Sequence, residues 1–185
     1  MLKGILLVDG PDASGKTTLA NNIIKWNGGN GIILHATYRF KDKMPSYHMA
    51  LLRKAIKLSK HQLVIIDRLH ISEYVYAKVF RGGTKWPEAF KYFESFCRGL
   101  NIPIILCVPE TIQRGLIWFE NAKQERPEMY EDIKEVIQEY CNYANAHKYD
   151  KNIIIYNRDF AEAYTDTYEA YIKATIKRFL HKELL

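Results

Sequence analysis

The chain is short of everything that would mark an exported, membrane-bound or disulfide-built protein. Its 185 residues include three cysteines, and Cys97, Cys107 and Cys141 stand far apart with no CxxC or Cys/His cluster. That spacing argues against a disulfide framework or a zinc site and suits buried thiols in a reducing compartment. Long hydrophobic runs are missing too. The longest, 5–8, 63–66 and 102–108 (broken by Pro103), fall well short of the roughly 20 residues a bilayer requires. The apolar start has no small-residue cleavage site and ends in Asp9, so it reads as a first strand and not as an export signal. A run of basic residues and a low-complexity tail are likewise lacking, although the net charge is +6. A basic balance without a basic arm suits an enzyme of phosphorylated ligands better than a nucleic-acid binder. The expectation is a cytoplasmic protein with neither membrane nor nucleic acid as partner.

What is present is an ordinary globular composition, 48% hydrophobic and 26% charged, on a length that suits one compact domain over 1–185. Short apolar runs alternate with amphipathic segments throughout. Candidate strands are 4–8, 31–35, 63–66, 102–108 and 152–156. Helical periodicity covers 16–26, 47–60, 72–80, 87–98 and 111–123, then a segment after Pro127 and a closing helix with Tyr164, Tyr168, Tyr171, Thr175 and Phe179 on one side. Apolar strands alternating with helices argue for an α/β protein, a parallel sheet covered on both faces.

Gly10-Pro11-Asp12-Ala13-Ser14-Gly15-Lys16-Thr17 matches GxxxxGK[ST] in full, between a predicted strand and a predicted helix. Glycines let backbone N–H groups turn inward around phosphate oxygens, and the helix start adds a positive field. Asp12, Ala13, Ser14, Gly15, Lys16, Thr17 and Thr18 are therefore expected to bind the phosphates of ATP. Lys16 supplies charge to the β- and γ-phosphates, and Thr17 is the expected Mg²⁺ ligand. Asp9 sits at the strand end before Gly10, as a catalytic carboxylate or as a plain turn cap. A second apolar strand ends in Asp67-Arg68, as a Walker B segment does. Asp67 can hold Mg²⁺, and the Arg68 fork matches phosphoryl oxygens.

Residues 67–76, Asp-Arg-Leu-His-Ile-Ser-Glu-Tyr-Val-Tyr, resemble the Asp-Arg-x-x-x-Ser-x-x-Ala-Tyr signature of thymidylate kinases. The loop from Asp9 to Thr18, Arg39-Phe40-Lys41-Asp42-Lys43 and Val108-Pro109-Glu110 are similar to further motifs of that family, in the same order. The resemblance implies a three-layer P-loop nucleotide kinase with a five-stranded parallel sheet in the order 2-3-1-4-5, a short lid at about 121–127, and a homodimer. It implies ATP and Mg²⁺ as cofactors and a nucleoside monophosphate as acceptor. Asp12 would meet the sugar 3′-hydroxyl, and Arg39 or Lys43, with Arg68, would hold the acceptor phosphate. Ser72 and Tyr76 would line the base and sugar pocket, with Tyr76 favouring deoxynucleotides. Leu69, Ala77 and Asp9 depart from the family's usual residues, which leaves the base open, thymine or a related, modified one.

Ala13 and Ser14 bring no cation to the loop, and phosphoryl transfer gathers several negative charges. Arg126 in the lid is the expected transition-state cation, with Lys123 next. Arg114 is assigned to the adenine side, and Arg53 is a further acceptor-side candidate. The reading is transfer of the ATP γ-phosphoryl group to a deoxynucleoside monophosphate. A nucleoside or other small-molecule kinase, and a P-loop ATPase acting with nucleic acid, are the alternatives.

Overall fold

Five short apolar runs become five parallel strands because each is bounded by a helix that returns the chain to the same edge. The computed structural model describes residues 1–37, 43–122 and 132–180. Within them the order is β1 (Gly4–Asp9), α1 (Lys16–Trp26), β2 (Gly31–His35), α2 (Met44–Ser59), β3 (Leu63–Asp67) and α3 (His70–Arg81). There follow α4 (Pro87–Gly99), β4 (Ile104–Cys107), α5 (Ile112–Asn121), α6 (Ile133–Ala146), β5 (Ile153–Tyr156), α7 (Arg158–Ala163) and α8 (Thr165–Leu180). The strand order is β2-β3-β1-β4-β5, as the resemblance implied, and every pairing is parallel.

Alternation along the strands builds a core on each face of the sheet. Ile5, Leu7, Val64, Ile66, Ile104 and Leu106 point into one cluster, which takes in residues of α2, α3, α4 and α6. Leu6, Val8, Leu63, Ile65, Ile105 and Cys107 point into the other, against Leu19, Ala20 and Ile23 of α1 and Ile172 and Ile176 of α8. Fully burying one such aliphatic side chain contributes roughly 1.5–3 kcal/mol. Both layers therefore hold the same strand ends in place. Burial pushes the thiols of Cys97 and Cys107 up to about 12, so both behave as inert core groups.

Several boundaries differ from the sequence expectation for identifiable reasons. α2 begins at Met44, because Pro45 is tolerated in a first turn that lacks a side-chain cap. β4 spans four residues, and Pro103 before it gives only a carbonyl, which accepts from Leu7 at 3.0 Å. α7 is an additional helix of six residues, opened by the Asn157 side chain accepting from the Asp159 N–H. α8 buries Ile172 and Ile176, whereas Tyr164 and Tyr171 of the anticipated aromatic side are exposed. At its end, Leu180 packs over Gly4 at the start of β1. Among the described residues, no helix is long and apolar enough to cross a membrane.

Candidate functional site

The carboxyl ends of β1, β3 and β4 converge, since Val8 pairs with Asp67 and Asp9 with Leu106. Open α/β sheets bind ligands at that edge. Here the segment from Gly10 to Gly15 turns directly into α1. Gly10 has φ 151°, and a Cβ on it would fall 2.2 Å from the Cys107 carbonyl oxygen of β4, so only glycine fits. Ala13 and Gly15 also have left-handed backbones, φ 62° and 83°. Successive turns of this kind line up N–H groups as a nest for an anion. The first turn of α1 carries no acid, which leaves its positive end uncompensated, and Thr17 and Thr18 are exposed there.

Lys16 is buried and folds back onto the cradle, donating to the Pro11 carbonyl and, at 3.4 Å, to Ser14 Oγ. Burial, with Arg68 nearby, lowers its pKa from 10.5 to about 8. Asp67 accepts from or pairs with His35 Nδ1 at 2.9 Å through Oδ2, while its buried Oδ1 has no hydrogen-bond partner among the described residues. Burial pushes the Asp67 carboxyl up, but the His35 hydrogen bond, Lys16 and Arg68 outweigh it and hold the pKa below the ordinary value. A carboxylate oxygen at a strand end and an exposed threonine hydroxyl in the first turn of α1 are hard oxygen donors of the kind Mg²⁺ takes.

A second group gathers beside the cradle. Arg68 has φ 69°, an uncommon backbone for a side-chain-bearing residue, and its N–H is held by the Val8 carbonyl at 2.9 Å. That turn aims the guanidinium at the loop, where it pairs with Asp12, donates to Ser72 Oγ at 3.2 Å and lies over the Tyr76 ring at 5.2 Å. The Tyr76 hydroxyl donates to the other Asp12 oxygen at 2.9 Å. Burial raises the Tyr76 pKa, so the phenol stays a donor. Asp12, Arg68, Ser72 and Tyr76 thus form one constellation.

Asp9 is wholly buried and its carboxylate is crowded with donors. Oδ1 accepts from Gly10 N–H (2.8 Å), Ser72 Oγ (2.6 Å) and Tyr140 Oη (2.7 Å), and Oδ2 from the N–H groups of Leu69 and Ser72, both at 3.3 Å. It caps α3 from another element, which has no local side-chain cap, and ties β1 to α3 and α6. These bonds engage both Asp9 oxygens within the protein. Tyr140, which periodicity marks only as core, is its partner 131 positions away.

Of the remaining candidates, Lys43 is exposed immediately before α2, and Arg53 is exposed on α2 without a hydrogen bond or ion pair among the described residues. Arg114 lies on the opposite side of the cradle and forms a two-point pair with Asp159 at 2.7 and 3.0 Å, a carboxylate that Trp118 Nε1 also reaches at 3.0 Å. Arg158 completes that wall: it donates to the Ala13 carbonyl at 3.4 Å, covers Gly15 and lies 5.9 Å over the Trp118 ring. Sequence reasoning passed over Arg158, although Asn157-Arg158-Asp159 directly follows a strand at the ligand-binding edge. Arg39, Lys123 and Arg126, with residues 123–127 of the 121–127 segment, lie outside the described residues.

Sheet order, cradle and strand-end acid together define the fold of the P-loop nucleotide kinases. No protein-family model and no curated protein sequence matches the chain. Solved structures do. It is similar to the YorR protein of Bacillus subtilis, solved in complex with phosphorylated GDP, at 19% identity and a TM-score of 0.63 over 97% of this chain and 100% of that one. It is also similar to deoxyadenosine kinase from M. mycoides with bound dCTP (12% identity, TM-score 0.56, 92% and 100% covered). Thymidylate kinase from Ehrlichia chaffeensis gives 12% identity and a TM-score of 0.53, with 93% and 100% covered.

Proposed function

We propose that this chain is an ATP-dependent kinase of a deoxynucleoside monophosphate. The observation that carries the reading is Arg68, a nearly buried guanidinium aimed across the mouth of the phosphate cradle, with Asp12 and Tyr76 beside it. A buried cation requires an anion, and the Asp12 carboxylate lies against it. An acceptor phosphate would take over Arg68, leaving Asp12 for a sugar hydroxyl and the Tyr76 ring against the sugar.

In the reaction, an oxygen of the acceptor phosphate attacks the γ-phosphorus of ATP. The bond from that phosphorus to the β–γ bridging oxygen breaks, and ADP leaves with the electron pair. The acceptor oxygen is already anionic, so no general base is needed, which agrees with Asp9 being fully engaged in holding α3. Lys16 neutralises the β- and γ-oxygens, with Arg126 or Lys123 of the 121–127 segment as the closing cation. Arg114 and Arg158 flank the cradle on the donor side, where the adenine would lie. Thr17 and Asp67 would hold Mg²⁺, which supplies further charge neutralisation when bound. A nucleoside kinase is the second reading, favoured by the partly exposed Asp12 carboxylate, which could take a hydroxyl proton.

ADP release from Mg-ATP across a panel of nucleoside monophosphates and nucleosides, with product masses, tests this. Phosphorylation of one or a few deoxynucleoside monophosphates is expected. Activity with nucleosides alone would transfer the assignment to the second reading.

A further inference from the structure

Beside the acceptor constellation on α3, where Glu73 follows Ser72 and lies one turn before Tyr76, is a cavity of about 20 Å³, lined by His48, His70, Glu73, Phe90 and Phe93 among others. Four buried polar atoms of these lining residues have no hydrogen-bond partner among the described residues: His48 Nε2, His70 Nδ1 and Nε2, and Glu73 Oε1. His48 and His70 are 2% and 1% exposed. The second Glu73 oxygen accepts from Arg81 at 3.0 Å. Buried polar groups in folded proteins are nearly always satisfied, so several orphans around one cavity call for a ligand. Among the described residues no group of three His, Cys, Asp or Glu is placed to hold a metal ion.

We propose that this cavity is the specificity pocket for the acceptor base and seats a polar exocyclic donor of that base, an amine or a hydroxyl. The inference rests on the acceptor reading above. Three features support it. The pocket shares α3 with the acceptor constellation, Glu73 being the next residue after Ser72. Its volume admits one group of about the size of water and not a whole ring, which makes it a substituent pocket. Its walls combine aromatic faces, Phe90 and Phe93 packed on His70 and His48, with hydrogen-bonding atoms of both kinds. A neutral imidazole offers one N–H and one bare nitrogen, and the free Glu73 oxygen only accepts. An amine or hydroxyl completes that set. A thymine methyl would leave every one of these atoms unpaired, and sites built to hydrogen-bond a group discriminate strongly against analogues that lack it.

The test compares kcat/KM for dCMP, dAMP, dGMP and 5-hydroxymethyl-dUMP with that for dTMP and dUMP. It uses the wild type and the His70→Phe, His48→Leu and Glu73→Gln variants, each checked for folding by circular dichroism. These substitutions lie on two different helices, so loss of one variant leaves the others. At least one donor-bearing acceptor is expected to exceed both dTMP and dUMP tenfold or more in the wild type, with that ratio falling towards one in the folded variants. A wild type that prefers dTMP or dUMP overturns the pocket assignment while the kinase reading stands. The same holds if the ratio is unchanged in the folded variants, which is the behaviour of a cavity that holds only solvent. No turnover with any monophosphate removes the acceptor reading and this inference together.

Discussion

Lys16 and Arg68 are both cations held by the loop they are placed to serve, one by the Pro11 carbonyl and the other by Asp12. For Lys16 the consequence is measurable. Its folded pKa of about 8 lies below the ordinary 10.5, so at lower pH the folded protein carries a buried charge at a cost of about 3 kcal/mol. That cost disappears as pH rises from about 8 to 10.5. Nucleotide phosphates favour the charged form, so ATP binding should take up as much as one proton above pH 8, and affinity should fall as pH rises through that value. Calorimetry at pH 9 in buffers of different ionisation enthalpy reads the uptake directly, and zero uptake would contradict the cradle assignment. Arg68→Ala should lower kcat/KM for a phosphate-bearing acceptor tenfold or more with little change in KM for ATP. Equal losses on both substrates would make Arg68 a structural tie. Arg68 was legible as half of an Asp-Arg pair at a strand end. The engagement of Asp9 was not, because its decisive partner, Tyr140, comes from another helix and looks like any core aromatic in periodicity.

α3 is where sequence and structure differ most usefully. Periodicity places its start near Ser72, yet the helix begins at His70, because the Asp9 carboxylate accepts its leading N–H groups from across the sheet. Capping from a distant element leaves no local sequence signal. α7 escaped for the opposite reason: six residues are too few for a period, and only the Asn157 cap marks it. Packing of α3 against α2 and α4 also sets a pH response. Burial lowers both His48 and His70 from 6.5 to about 4; each lies within reach of the raising field of Asp9, and His70 opposes protonation of His48. Between pH 6.5 and about 4 the unfolded chain binds more protons than the folded one, so stability is lost as pH falls. The slope is up to about 1.4 kcal/mol per pH unit for each histidine. Urea midpoints at pH 7 and pH 5 should differ accordingly, and His48→Leu should flatten the difference. An unaltered slope in that variant would show that other groups carry the acid response.

At the scale of the molecule, the sheet was the most legible feature, since five apolar runs separated by helical periods allow little besides a parallel sheet covered on both faces. The order of its strands came from the resemblance and not from the runs themselves, because hydrophobic pattern does not say which strand lies beside which. The same architecture separates the Gly10–Gly15 loop from the start of β1 and the end of α8. The start of β1 and the end of α8 meet where Leu180 covers Gly4, while the phosphate cradle opens at the far end of β1, roughly 15–20 Å along the strand. A reporter or surface tether joined ahead of Met1 would therefore emerge at the opposite edge of the sheet from that loop, and the immobilised protein would present the loop to the solution.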